Sequence, residues 1–80
     1  MELIYDPRYN IAYIRFRAKT EQVETIHVSD ELNVDLAPDG TVYGIELLNA
    51  NDQLRRGGVG KLLITNESTG DQTEVPLSAA

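Results

Sequence analysis

Asp6, His27 and Glu46 are the side chains considered for moving protons or holding a small ligand. A weak hydrolase could use a carboxylate as base or His27 as a proton carrier, because only a histidine titrates near neutrality without being perturbed. Tyr5 beside Asp6 would suit a ligand pair at a sheet edge. The surrounding pattern supplies plainer roles. Asp6 precedes Pro7 and can bond backbone N–H groups in a turn. Glu46 alternates with Ile45 and Leu47 and points away from them. His27 alternates with Val23 and Thr25 and reads as a strand surface residue. No serine or threonine stands in an evident arrangement with a histidine and a carboxylate that would activate it. Asp30, Glu31, Asp35 and Asp39 are dense but lack the spacing of a calcium loop. No catalytic, cofactor-binding or metal-ligating residue is therefore assigned. A second set has the chemistry of recognition instead: the carboxylates Glu24, Asp35 and Glu46, with Tyr13 as an amphipathic anchor of the sort favoured at interface hot spots.

The elements that must carry these residues repeat every two positions, as half-buried strands do. Ala12, Ile14 and Phe16 share one face of a strand, with Tyr13, Arg15 and Arg17 opposite. Leu32, Val34 and Leu36 alternate with Asn33 and Asp35. Tyr43, Ile45 and Leu47 alternate with Val42, Gly44 and Glu46. Shorter strands are expected at Leu3 to Tyr5 and Val23 to Val28. Ala37-Pro38-Asp39-Gly40 fits a type I turn closed by a left-handed glycine, a favoured hairpin connection. Gly44, inside a strand, marks a bulge or the close approach of a neighbouring side chain or subunit. Asn49 is placed to cap a short helix over Ala50 to Arg56, with Asn51 or Asp52 supporting its first turn and Gly57 as its stop. The glycines at 57, 58 and 60 tether a C-terminal hairpin, Lys61 to Asn66 and Gln72 to Leu77, in which Pro76 marks an edge.

The expected fold is β-rich α+β: an antiparallel meander of about five strands, one short helix and a C-terminal hairpin. It forms a single domain over 1–80, divided into a sheet-and-helix part, 1–56, and the hairpin, 61–77. The expected core is Ile4, Ala12, Ile14, Phe16, Ile26, Val34, Leu36, Tyr43, Ile45, Leu47 and Leu54.

Composition narrows the function classes. Eighty residues bury little of their surface, so such chains lean on disulfides, metals or a second subunit. With no cysteine and one histidine, self-association is the remaining support, and a homodimer or larger oligomer is expected. The net charge of −6 opposes binding to nucleic acid; it suits a basic protein partner, and it equally serves simple solubility, as in many small soluble domains. No stretch approaches the roughly 20 apolar residues of a membrane helix, and the N-terminus does not read as a signal peptide. A cytoplasmic protein that touches neither membrane nor nucleic acid is expected.

The series Ile4-Tyr5-Asp6-Pro7, Ala12-Tyr13-Ile14-Arg15-Phe16, Val34-Asp35-Leu36, Asp39-Gly40 and Val42-Tyr43-Gly44-Ile45-Glu46-Leu47-Leu48-Asn49-Ala50 resembles the bacterial domain of unknown function 2283. The resemblance covers roughly Met1 to Leu54. It departs at Leu36-Ala37, where the family often has aspartate, and in the added hairpin. It implies a small β-rich fold without an established activity. Members are often encoded beside a small toxin-like protein, which implies an antitoxin-like or partner-binding role. Two readings follow: a non-catalytic protein-binding module, or a small-molecule-binding protein or weak hydrolase using Asp6, His27 or Glu46.

Overall fold

The computed structural model describes residues 1–18, 22–55 and 60–77. Five strands form one antiparallel sheet: β1 (Glu2–Asp6), β2 (Ile11–Arg15), β3 (Glu24–Ser29), β4 (Leu32–Leu36) and β5 (Val42–Leu48). Helix α1 (Ala50–Arg55) follows, and β6 (Lys61–Thr65) with β7 (Gln72–Pro76) makes a separate two-stranded hairpin. The β-rich class, the short helix and the C-terminal hairpin all match the expectation. The expected helix stop at Gly57 and the glycine tether over 57–59 lie outside the described residues.

The strands are not arranged in chain order. The sheet runs β1-β2-β5-β4-β3, so β2 pairs with β5 and the chain crosses to the far edge before returning by way of β3 and β4. This is a Greek-key arrangement with its long connection first, rather than a strict meander. The distribution of apolar residues explains the order. The β5 strand, seven residues long and the richest in buried and half-buried positions, takes the centre. The β3 strand, exposed at all six positions, takes the edge.

Register defines two faces. Leu3, Ile14, Ile45, Val34 and Ile26 lie directly opposite one another in turn, an aliphatic row across all five strands. Tyr5, Ala12, Leu47 and Leu32 make a second row on that face. Two expectations need correction here. Ile4 pairs with Tyr13 and is 42 % exposed on the other face, and Leu3 takes its place in the apolar row. The run Leu3-Ile4-Tyr5 has no polar alternation from which its facing could be read. Tyr43 does not share a face with Ile45. Between the pairs Asp35–Gly44 and Leu36–Val42 the β5 strand carries one extra residue, Tyr43. This bulge turns the Tyr43 ring to within 6.4 Å of the Tyr13 ring, centroid to centroid.

Helix α1 lies over the β1–β2 end of the apolar face, where Ala12 and Ala50 are fully buried. Its start is held by asparagines from two loops. Asn10 and Asn49 have positive φ, 57° and 54°, a conformation asparagine tolerates better than most residues. The Asn49 carbonyl accepts the first intrahelical bond from Gln53 N–H at 3.1 Å. The side-chain cap comes from elsewhere: Asn10 Oδ1 accepts from Asn51 N–H at 2.7 Å, while Asn10 Nδ2 donates to Asn49 Oδ1 at 3.2 Å. The expected Asn49 cap is thus supplied by Asn10. Asn51 in turn donates to the Pro7 carbonyl and accepts from the Tyr5 hydroxyl. Gln53 Nε2 donates to the carbonyls of Glu31 and Leu48, at 3.0 and 2.7 Å.

Candidate functional site: the polar face of the sheet

Opposite the aliphatic rows, the polar positions of β2 to β5 fall into register. Tyr13, Glu46, Asn33 and His27 form one row, and Arg15, Gly44, Asp35 and Thr25 the next. Hydrogen bonds run along and between them. His27 Nδ1 lies 2.8 Å from Asn33 Oδ1, and Asn33 Nδ2 donates to Glu46 Oε1 at 2.9 Å. Thr25 Oγ1 donates to Asp35 Oδ1 at 2.6 Å. The Tyr13 hydroxyl reaches diagonally to Asp35 Oδ2, also at 2.6 Å, so both oxygens of this carboxylate are engaged.

The Tyr13 reach depends on Gly44. The phenol lies across the backbone at that position. A Cβ there would stand 2.6 Å from Tyr13 Cε1 and closer still to its Cζ and hydroxyl. The expectation was a bulge or a close approach at Gly44; the Tyr13 side chain approaches it, and the bulge falls beside it at Tyr43. Burial and then the bond to Asp35 raise the Tyr13 phenol well above the ordinary tyrosine value, since both oppose a tyrosinate. Tyr13 therefore acts as a fixed donor. At the end of the row Arg15 pairs with Glu2, and that bond, followed by Tyr43, raises its already high pKa.

Of the four residues expected to meet a partner, Tyr13, Asp35 and Glu46 share this face, half-buried. Glu24 does not. It lies opposite Leu36, on the aliphatic side at the β3 edge. Of the residues considered for chemistry, His27 and Glu46 are brought together through Asn33. Asp6 stands on β1 at the other edge of the sheet, four strand spacings or roughly 19 Å from the β3 line. There it accepts from the backbone N–H and guanidinium of Arg8, and that pairing lowers its pKa. Among the described residues, no group of three His, Asp or Glu side chains is placed to hold a metal ion.

Thr25 and Asn33 were not singled out from the sequence, although both contribute to the ladder. Their signal is parity: Thr25 and His27, and Asn33 and Asp35, are all polar at the positions that alternate with Ile26 and Val34. Which of them would bond which depends on strand order, because β3 meets β4 by a local hairpin whereas Tyr13 reaches Asp35 only because β2 adjoins β5.

The fold and this face together define a small antiparallel β protein whose polar side is a ladder of mutually bonded side chains. The chain belongs to the family described as protein of unknown function DUF2283, whose family model matches residues 2–51. That span contains all five strands of the sheet and the asparagines that start the helix. The C-terminal hairpin lies beyond it. No curated protein and no solved structure matches the chain. No helix among the described residues is long and apolar enough to cross a membrane.

Proposed function

We propose that this chain is a non-catalytic protein-binding module, antitoxin-like in kind, that works in the cytoplasm and offers its polar face to a basic protein partner. The observation that carries this reading is the mutual engagement of Tyr13, Asp35, Thr25, Asn33, Glu46 and His27. Side chains locked by their neighbours on an open sheet surface present a fixed pattern of charge and hydrogen-bonding edges. That is what recognition needs. An enzyme needs a group left ready to react. With a net charge of −6, the molecule would draw in a basic partner.

The test is capture of proteins from a cytoplasmic extract of the native host on the immobilised full chain, washed over a salt series. Captured basic proteins should be released by moderate salt, and Glu46→Gln combined with Asp35→Asn should weaken their capture while the fold survives. Capture indifferent to both salt and the double variant would defeat the reading.

The second reading, a small-molecule-binding protein or weak hydrolase, is favoured by the row His27–Asn33–Glu46, which places an imidazole and a carboxylate on one amide. It is weakened by the remoteness of Asp6. Hydrolysis of an activated ester by the purified chain, lost in His27→Ala, would turn the assignment toward it.

A further inference from the structure

Among the described residues, the aliphatic face has a second layer over one end only. Helix α1 and the β6–β7 hairpin stand near β1 and β2, where Leu3, Ile14, Leu54, Leu62 and Ile64 line a groove of about 490 Å³. Toward β5, β4 and β3 the same aliphatic row continues through Ile45, Val34 and Ile26, and Leu36 and Val42 oppose each other beside it. Ile26 is 42 % exposed and Val42 40 %. Among the described residues no leucine, isoleucine, valine or phenylalanine is buried; the buried hydrophobic side chains are Ala12, Ala37, Tyr43 and Ala50.

The size of the shortfall points to its remedy. The chain exposes 5838 Å². A folded monomer of 8.9 kDa exposes about 4,800 Å², so the excess is roughly 1,000 Å², shared between this half and the hairpin, where Leu62, Leu63, Ile64 and Val75 are also exposed. A stable pairwise interface removes about 800 Å² from each partner. The radius of gyration, 14.1 Å, likewise exceeds the roughly 11.6 Å of a compact 80-residue domain. Domains are built from at least two packed layers, and among the described residues the β3–β4–β5 half has a single layer.

We infer that a second copy of this chain covers that half, the two sheets packing aliphatic face to aliphatic face about a twofold axis. A second copy suits the chemistry of the surface. The only charged residue on the paired strand positions of this face is Glu24, at its margin, so two chains of charge −6 can meet here without opposing carboxylates. The same neutrality gives a basic partner nothing to pair with. Pairing edge to edge through β3 is disfavoured by its register shift between His27 and Ser29, since such bulges blunt an edge strand. Facing sheets stand about 10 Å apart, which leaves room for Ile26, Val34, Leu36 and Ile45 to interdigitate with their symmetry mates.

The inference is independent of the polar-face reading and is tested separately. Sedimentation of the full chain at micromolar concentration should return twice the 8.9 kDa chain mass, with a thermal midpoint that rises with protein concentration. Ile26→Lys should weaken association at least 100-fold while keeping the β-sheet circular dichroism. Ile4→Lys, which changes an equally exposed isoleucine on the other face, should leave it intact. Should lysine at position 26 unfold the sheet, Ile26→Thr keeps the β-branch and should still weaken association by tenfold or more. A wild-type monomer at 100 μM overturns the inference, even if some other protein then shields Ile26. So does a dimer indifferent to both Ile26 substitutions, or one lost equally in Ile4→Lys.

Discussion

Gly44 and Asp35 determine what Tyr13 can do. Alanine at position 44 would place a methyl group inside the Tyr13 phenol, so the ring must leave and its bond to Asp35 must break. We expect Gly44→Ala to cost about 2–4 kcal/mol, combining overpacking with a lost charge-assisted bond. The cost should shrink to less than about 1 kcal/mol when Tyr13 is already alanine, because additivity fails for residues in contact. Urea unfolding of the four variants measures this; equal costs in both backgrounds would mean that the ring is not what Gly44 accommodates. Bonded to both Tyr13 and Thr25, Asp35 should cost about 1–3 kcal/mol when replaced by alanine. The raised Tyr13 pKa has a definite consequence at high pH. The folded state holds the phenolic proton more tightly than the unfolded state does, so the contribution to stability is complete below the ordinary tyrosine pKa of 10.0. It is then lost as pH rises toward the higher folded value. Tyrosinate absorbance should show one phenol ionising late in the wild type and earlier in Asp35→Asn; an unchanged titration curve would contradict the bond. Asp6 and Asp39 behave in the opposite sense. The Arg8 side chain lowers the first and the Thr41 hydroxyl the second, so both favour folding above the ordinary value of 3.8 and lose that contribution as pH falls through their depressed folded values. Asp6→Asn with Asp39→Asn should flatten the decline of stability below pH 3.8, as followed by urea midpoints in acid.

At the scale of elements, the helix depends on a loop forty residues away in sequence. Six residues are too few to persist as an isolated helix, so α1 is stable only where tertiary contacts hold it. Asn10 supplies two of them, its carbonyl to Ala50 N–H at 3.1 Å and its side chain to Asn51 N–H at 2.7 Å. Asn10→Gly keeps the positive φ and the carbonyl but removes the side-chain cap. We expect a loss of about 1 kcal/mol, with faster amide exchange at Asn51 than at Ala50. Asn10→Ala should cost more, since alanine also resists a φ of 57°. Unchanged protection at Asn51 in the glycine variant would show that the cap contributes nothing. The Pro38-Asp39-Gly40 hairpin is more self-sufficient. Gly40 has a φ of 87° and donates to the Ala37 carbonyl at 2.9 Å, and the Asp39 side chain accepts from Thr41 N–H, all within five residues.

For the whole molecule, charge and apolar area act against each other. Two chains of charge −6 repel at long range, while the aliphatic faces attract only at contact. Raising salt from about 10 mM to 0.3 M shortens the screening length from roughly 30 Å to less than 10 Å. The proposed self-association should therefore tighten with salt, whereas binding of a basic partner to the polar face should weaken. Opposite salt slopes, measured by sedimentation for the first and surface capture for the second, would separate the two surfaces. If self-association weakened with salt, the dimer would have to rest on charge rather than on the aliphatic rows.

Alternation and turn chemistry carried most of the secondary structure. The period of two in β2, β4 and the Gly44–Leu48 part of β5 and the glycine turn at Gly40 are local properties, set by side-chain direction and backbone sterics within a few residues, and they could be read directly. So could the short helix and the final hairpin. What the local pattern could not contain was the strand order. Whether β2 meets β3 or β5 depends on which pairing buries more aliphatic surface, a comparison across the whole chain. From that order follow the Tyr13–Asp35 bond, the Tyr43 bulge and the loop-supplied cap at Asn51. The facing of Ile4 was hidden because three consecutive apolar residues have no period, whereas that of Glu24 was legible: it shares the parity of Ile26, and its register with Leu36 agrees. Residue types and their parity determined which groups could face water; only the tertiary structure decided which of them would meet, because hydrogen bonds and close contacts form between strands and a single strand does not specify its neighbour.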